Sequence, residues 1–104
     1  MEMKVFWSDA ALAQLEEIYI YYKVKASPAI ARKLIKTLIE KTILLESNPL
    51  IGAIEPLLSK SNYEYRFLIE NNYKIIYRCF DNYVKINLVF DCGKILIILK
   101  KYVI

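Results

Sequence analysis

The chain has 104 residues, of which 57% are apolar and 25% are charged, with 15 Lys and Arg against 11 Asp and Glu. This composition excludes an intrinsically disordered chain, and the length fits one domain, residues 1–104, with one modest core. The sequence contains no His, which excludes His-based catalysis and His-containing zinc sites. Its two Cys, Cys79 and Cys92, form no cluster of metal ligands, so we expect neither a metal nor another cofactor.

Two features of the sequence predict a cytoplasmic protein that does not cross a membrane. The longest apolar run, Ile95–Leu99, is far shorter than the roughly 20 residues of a membrane span. The N-terminal segment Met1–Phe6 lacks the apolar stretch and cleavage-site pattern of a signal peptide.

The net charge of +4 favours an anionic partner. The high apolar content indicates that a partner, or a second copy in a homodimer, covers part of the surface.

The first half of the chain predicts a strand followed by two helices. Alternating residues make Met3–Trp7 a short strand, and Ser8 is placed to cap a helix over about Asp9–Lys25. Ser27-Pro28 begins a second helix that continues to about Ser47, because Pro at the first helical position loses no hydrogen bond. The short connection predicts an antiparallel helical hairpin.

The second half of the chain predicts a β-meander. Residues 51–62 contain several turn-forming residues and are predicted as a loop. Three strands follow, at about Tyr63–Ile69, Tyr73–Phe80 and Val84–Asp91. Asn71-Asn72 and Asp81-Asn82 form the tight turns between them, and the apolar segment Lys94–Ile104 is predicted as one more strand. The fold class is therefore α+β, with an N-terminal strand and the helical hairpin on one face of a mainly antiparallel sheet of four or five strands.

The alternation of side chains along the strands assigns each residue to one face of the sheet. A two-residue turn at Asp81-Asn82 pairs Arg78 with Lys85. The same register pairs Ile76 with Asn87. The face expected under the helices contains Tyr73, Ile75, Tyr77, Val84, Ile86, Leu88 and Phe90. The other face contains Lys74, Ile76, Arg78, Lys85, Asn87, Val89 and Asp91. The cations of this second face suit a phosphate group or an acidic peptide, and they equally suit an ordinary solvent-exposed surface.

The position of Arg66 depends on the turn that precedes the middle strand. A two-residue turn at Asn71-Asn72 pairs Arg66 with Tyr77, on the helix side of the sheet. A three-residue turn or a β-bulge places Arg66 beside Lys74 instead. The sequence is compatible with both alternatives, and joint action of Arg66 and Lys74 requires the second.

The chain resembles the RelE/ParE family of bacterial toxins over about residues 4–92. The resemblance rests on the order and spacing of several short motifs: Trp7-Ser8-x-x-Ala11, Leu15-x-x-Ile18-x-x-Tyr21-Tyr22, residues 31–45, Asn48-Pro49-x-x-Gly52, Tyr65-Arg66, Asn72-Tyr73-Lys74-Ile75-Ile76-Tyr77-Arg78 and Val89-Phe90-Asp91. It implies the toxin of a type II toxin–antitoxin module of the plasmid-stabilisation type. It also implies a cognate antitoxin that neutralises the toxin, and binding to operator DNA only through that antitoxin.

The resemblance implies one of two mechanisms. RelE-like members are endoribonucleases that cleave mRNA on the ribosome with Lys and Arg side chains, whereas ParE-like members inhibit DNA gyrase. Under the first mechanism the candidate catalytic residues are Arg66, Lys74 and Arg78. The candidate residues for binding nucleic acid or a partner are Lys85, Asn87, Asp91 and Lys94. Gly93 stands where many relatives carry Arg, and this departure favours, as an alternative, a non-catalytic or attenuated module that binds RNA or an acidic protein segment.

Overall fold

A five-stranded mixed sheet carries two helices on one face in the computed structural model, which describes residues 2–94. The elements are β1 (Lys4–Trp7), α1 (Asp9–Lys25), α2 (Pro28–Ile43), β2 (Ala53–Ile54), β3 (Arg66–Glu70), β4 (Tyr73–Cys79) and β5 (Tyr83–Asp91). Short 3-10 helices occupy Leu44–Glu46, Pro56–Leu58 and Cys92–Lys94. The strand order is β1-β5-β4-β3-β2, with β1 parallel to β5 and the other neighbours antiparallel. The predicted α+β class is confirmed.

Several predicted boundaries differ from the structure, including those of the loop at residues 51–62 and of the second helix. The predicted loop over residues 51–62 contains the edge strand β2, in which Ala53 pairs with Phe67 and Ile54 pairs with Arg66. A strand of two residues is too short to show an alternating pattern, so the sequence did not reveal it. The helix predicted to reach Ser47 ends at Ile43 and continues as a 3-10 turn. The strand predicted at Lys94–Ile104 lies outside the described residues, apart from the backbone of Lys94.

Serine caps begin both helices, as the sequence predicts. Ser27 Oγ accepts a hydrogen bond from Ile30 N at 3.2 Å. Ser8 Oγ accepts one from Ala11 N at 3.0 Å and donates another to Asn87 O at 2.9 Å. The core lies between the helical hairpin and the sheet, and its most deeply buried members include Ala11, Leu38, Leu45, Ile75, Tyr77, Val84 and Ile86. None of the helices in residues 2–94 has the length and apolar character that a membrane crossing requires.

A β-bulge at Asn87 changes the face assignment of the end of β5. Arg78 pairs with Lys85 as predicted, but Ile76 pairs with Leu88 and not with Asn87. Val89 and Asp91 therefore lie on the helix side, while Leu88 and Phe90 pack with Ile76 on the opposite side, which we call the far face. The start of α1 explains the extra residue, because Ser8 bonds the carbonyl oxygens of two successive residues of β5, Ile86 and Asn87.

The turn between β3 and β4 settles the position of Arg66. It has two residues, since Glu70 pairs with Tyr73, and Asn71 adopts a positive φ of 54°. Asn tolerates this left-handed conformation better than most residues. The register places Arg66 opposite Tyr77, on the helix side. The alternative in which Arg66 lies beside Lys74 is excluded.

Candidate functional site

The guanidinium of Arg66 holds the loop that follows α2. Its Nη1 donates to the carbonyl oxygens of Leu50, at 3.2 Å, and Gly52, at 2.7 Å. Its Nε donates to Glu64 Oε2 at 3.0 Å. The side chain is only 19% exposed. Arg66 is therefore engaged by groups of this chain, on the side of the sheet opposite to Lys74.

A close contact with Tyr77 explains the motif Asn48-Pro49-x-x-Gly52. The Tyr77 hydroxyl donates to Pro49 O at 2.8 Å and accepts from Gly52 N at 2.9 Å. A Cβ at position 52 would lie 2.6 Å from the Tyr77 hydroxyl and 2.6 Å from Phe67 O, so only glycine fits there. Burial raises the pKa of the Tyr77 hydroxyl, which keeps the proton that it donates. This part of the motif is structural.

Lys74 lies on the far face, as predicted, but its charge is paired inside the protein. Its Nζ forms an ion pair with Glu55 Oε1 and lies 4.1 Å from the centroid of the Phe67 ring. Both members are buried, with Glu55 1% and Lys74 9% exposed. The other carboxylate oxygen of Glu55 accepts from Leu57 N at 3.2 Å. The ammonium group is thus occupied by a carboxylate of this chain and is not open to an external anion.

Arg78 contacts aromatic rings at the other end of the far face. Its Cζ lies 3.7 Å from the centroid of Tyr63 and 4.3 Å from that of Phe80. Phe80 stacks on Tyr83 at a centroid distance of 4.5 Å, and Tyr83 meets the edge of Phe6 at 5.6 Å. We call the rings of Tyr63, Phe80, Tyr83 and Phe6 the aromatic strip. A guanidinium stacked on rings keeps its N–H groups in its own plane, where they can bind a phosphate or a carboxylate.

Lys85 lies directly opposite Arg78 on β5. Neither side chain has a carboxylate within ion-pair distance among residues 2–94. Like charges at directly opposed positions of two strands destabilise a sheet unless an anion lies between them. Lys4 of β1 pairs with Tyr83 and is exposed beside the same strip. Arg78 and Lys85, flanked by the aromatic strip, are therefore the best candidate for an anion-binding site.

The other predicted binding residues do not join this site. Asn87 is the bulged residue, and its buried Oδ1 has no hydrogen-bond partner in the described part of the chain. Asp91 lies on the helix side, where its Oδ1 accepts from Gly93 N at 2.8 Å. The side chain of Lys94 lies outside the described residues. Of the predicted set, the structure places only Lys85 beside Arg78.

Sequence reasoning missed three residues of the far face: Glu55, Tyr63 and Phe67. The position of Phe67 could have been predicted from one of the two turn alternatives. A two-residue turn at Asn71-Asn72 places its ring diagonally across from Lys74. Glu55 gave no signal, since its segment was predicted as an irregular loop. Tyr63 was predicted at the start of a strand, whereas β3 begins at Arg66 and leaves Tyr63 free to reach Arg78.

The arrangement of these side chains favours binding over acid–base chemistry. Arg66 and Lys74 lie on opposite faces, and Arg78 is on the far face with Lys74 but in a separate, aromatic environment. Residues 2–94 contain no group of three or more His, Cys, Asp or Glu placed to hold a metal ion. A cation pair with no carboxylate partner among residues 2–94 and a strip of partly exposed rings can hold an anionic or aromatic segment of a partner.

A family model and one solved structure agree with this architecture. The family model for the ParE toxin of type II toxin–antitoxin systems, parDE, matches residues 5–91. A solved chain of the chromosomal ParDE system from P. aeruginosa is 24% identical, covers 86% of this chain and 96% of its own length, and superposes with a TM-score of 0.72. The YoeB dimer from Staphylococcus aureus is 24% identical, with coverages of 85% and 94% and a TM-score of 0.49. A comparison with curated proteins gives no match.

Proposed function

This chain belongs to the ParE family, the toxins of type II toxin–antitoxin systems, and we propose that it inhibits DNA gyrase and does not cleave mRNA. The observation that supports this proposal is that three cations, which a ribonuclease site would need close together, lie apart in this protein. Arg66 bonds the loop after α2, Lys74 is paired with Glu55, and Arg78 stacks on aromatic rings.

The chemistry of RNA cleavage supports this choice between the two mechanisms of the family. Cleavage requires a group that activates the ribose 2′-hydroxyl, charge stabilisation at the phosphorus, and a proton for the leaving oxygen. The chain has no His to exchange protons near neutral pH. The charge of Lys74 is held by a buried carboxylate, and Arg66 faces the other side of the sheet. Together these side chains provide no acid–base pair beside Arg78.

Inhibition of gyrase by binding requires a contact surface and no catalytic group. The far face provides such a surface. Arg78, Lys85 and the aromatic strip form a cationic and aromatic surface at one end of the sheet, with Tyr63 50% and Phe6 53% exposed. We propose that this surface contacts gyrase. A cognate antitoxin is the second proposed partner, and it neutralises the toxin as in other type II modules.

The test compares the two targets directly. Induced expression of the chain in a bacterium is expected to arrest growth, and co-expression of its cognate antitoxin is expected to relieve the arrest. Purified protein should then trap gyrase–DNA cleavage complexes, while primer extension on ribosome-bound mRNA shows no new ends. Cleavage of ribosome-bound mRNA with unaffected gyrase would contradict the proposal.

A paired variant tests the surface itself. We expect Arg78→Ala with Lys85→Ala to raise the protein concentration needed to trap gyrase by about tenfold or more, because charged groups at an interface contribute at least this much. Arg32→Ala with Lys33→Ala is the matched control, since both residues are exposed cations on α2, away from the sheet. Equal loss in both variants would show that the effect is one of net charge and not of this surface.

A further inference from the structure

A second surface feature, separate from the far face, is a cleft of about 500 Å³ between α1 and the end of the sheet. It is lined by Gln14, Glu17, Ile18, Tyr21, Tyr22, Tyr73, Val89, Phe90 and Asp91. The register change at Asn87 creates it in part, because the bulge turns Asp91 toward the helix side of the sheet. Neither the anion-binding surface nor the proposed action on gyrase uses these residues.

A buried amide in this cleft has an unused donor. Gln14 is 7% exposed, and its Oε1 accepts from Val89 N at 2.8 Å. This contact fixes the orientation of the amide, so the other end of the group is the NH₂. Gln14 Nε2 has no hydrogen-bond partner within residues 2–94. A buried donor without a partner costs free energy. Nε2 itself is covered by protein atoms, so a carbonyl oxygen of a ligand would satisfy it after a small turn of the Gln14 side chain toward the cleft.

The charge of the cleft is opposite to that of the whole chain. Its described lining includes two carboxylates, Glu17 and Asp91, and no Lys or Arg, although the net charge of the chain is +4. Asp91 uses Oδ1 for Gly93 N, and its Oδ2 makes no hydrogen bond in the described part of the chain. The residues that line the cleft therefore include acceptors for a cation and a donor for a carbonyl oxygen.

Tyrosine rings complete the cleft. Tyr21 meets Tyr22 edge to face at 5.1 Å and is 55% exposed, and the hydroxyls of Tyr22 and Tyr73 lie 3.5 Å apart. Burial raises the pKa of Tyr73, and the hydrogen bond that its hydroxyl donates to Tyr22 and the charge of Asp91 raise it further. The hydroxyl consequently remains neutral. Neutral tyrosine rings beside carboxylates attract organic cations through their π faces.

We propose that this cleft binds an arginine or lysine side chain of a partner polypeptide, with the cation between Glu17 and Asp91 and a backbone carbonyl oxygen of the same segment on Gln14 Nε2. The carbonyl requirement selects a polypeptide over a free amine, because an amine alone would satisfy the carboxylates but leave Gln14 without an acceptor. Charge complementarity selects a basic segment over an acidic one.

The experiment titrates the full chain, labelled with ¹⁵N, with the peptide acetyl-Gly-Arg-Gly-amide. We expect saturable shifts of the Val89 backbone amide and the Gln14 side-chain amide. The same peptide with citrulline in place of Arg has the shape without the charge and should bind about fivefold more weakly. Propylguanidine, which carries one guanidinium and no peptide carbonyl, should also bind more weakly than the Arg peptide.

Two variants of adjacent residues assign the effect to the cleft. Glu17→Gln should weaken binding of the Arg peptide about fivefold. Glu16→Gln is the matched control, because Glu16 is exposed on the same helix but does not line the cleft. Three results would overturn the proposal: absence of shifts at Val89 and Gln14, equal binding of the Arg and citrulline peptides, or equal effects of the two variants. Propylguanidine binding as tight as that of the peptide would overturn the choice of a polypeptide.

Discussion

The contact between Glu55 and Lys74 determines how much of the charge of the far face is available to a partner. Alternation along β4 correctly places Lys74 on that face. Its ammonium group nevertheless meets a carboxylate that is buried in the segment after β2. A buried ion pair is costly to form but is also costly to break, because removal of one partner leaves the other charge buried alone. The pair therefore constrains this part of the face to one arrangement.

Glu55→Ala is expected to lower the free energy of unfolding by about 3 kcal/mol, because it leaves the Lys74 charge buried without a partner. Urea denaturation at neutral pH measures the loss. Glu40→Ala is the control, since Glu40 and Lys36 form an exposed pair at 3.8 Å and its loss should cost less than about 0.5 kcal/mol. A double variant, Glu55→Leu with Lys74→Met, should regain most of the stability. A loss for Glu55→Ala no larger than that of the control would contradict the assignment.

The contact between the start of α1 and β5 determines where the side chains at the end of β5 lie. Ser8 caps α1 and also bonds the carbonyl of the bulged residue Asn87. This contact fixes the register of the end of β5, and the register decides that the side chain of Asp91 lies on the helix side of the sheet while that of Phe90 packs with Ile76 on the far face. A helix cap thus determines the faces on which distant strand residues lie.

Ser8→Ala should destabilise the protein more than Ser27→Ala does. Loss of a serine cap costs about 1 kcal/mol, which is the expectation for Ser27, whose cap is exposed. Ser8 loses its bond to Asn87 O as well, so we expect about 2 kcal/mol in total. Urea denaturation of the two variants gives the difference, and NMR shifts of Val89 and Asp91 report the register. Equal losses in the two variants would show that the bond to Asn87 contributes nothing.

Across the whole molecule, burial of tyrosines on both faces of the sheet makes stability sensitive to alkaline pH. Burial raises the pKa values of Tyr65, Tyr73 and Tyr77 above the ordinary value of 10.0. Burial likewise raises the pKa of the Cys79 thiol above 9.0. In the unfolded chain these groups lose their protons at the ordinary values. The folded state holds the protons to higher pH, so it loses stability relative to the unfolded state as the pH rises.

Below about pH 9, the free energy of unfolding should therefore not depend on the titration of these four groups. Above about pH 10 it should fall with rising pH. Each tyrosine contributes up to about 1.4 kcal/mol per pH unit to this decline. Tyr73→Phe keeps the ring and removes one titrating hydroxyl, whose contact with Tyr22 is long at 3.5 Å. This variant should match the parent near neutral pH and show a less steep decline in alkali. A decline of equal slope in both proteins, measured by urea denaturation over the alkaline range, would contradict the role of Tyr73.

Local patterns were sufficient where the interaction is local. The serine caps, the helical hairpin, the two-residue turn at Asp81-Asn82 and the pairing of Arg78 with Lys85 depend on residues within a few positions of one another. Hydrophobic periodicity and turn chemistry carry this information directly. The order and spacing of motifs were also sufficient to identify the toxin family, which the match over residues 5–91 confirms.

Tertiary structure alone decided the features that join distant segments. The bulge at Asn87 depends on Ser8, the pairing of Lys74 depends on Glu55, and the commitment of Arg66 depends on the carbonyls of the loop at Gly52. Alternation predicts a face only while the register holds, and a single extra residue reverses every assignment beyond it. The sequence by itself thus determined the fold and the family, because these follow from repeated local patterns. The availability of each candidate side chain was decided by single contacts between residues far apart in the chain, which no local pattern encodes.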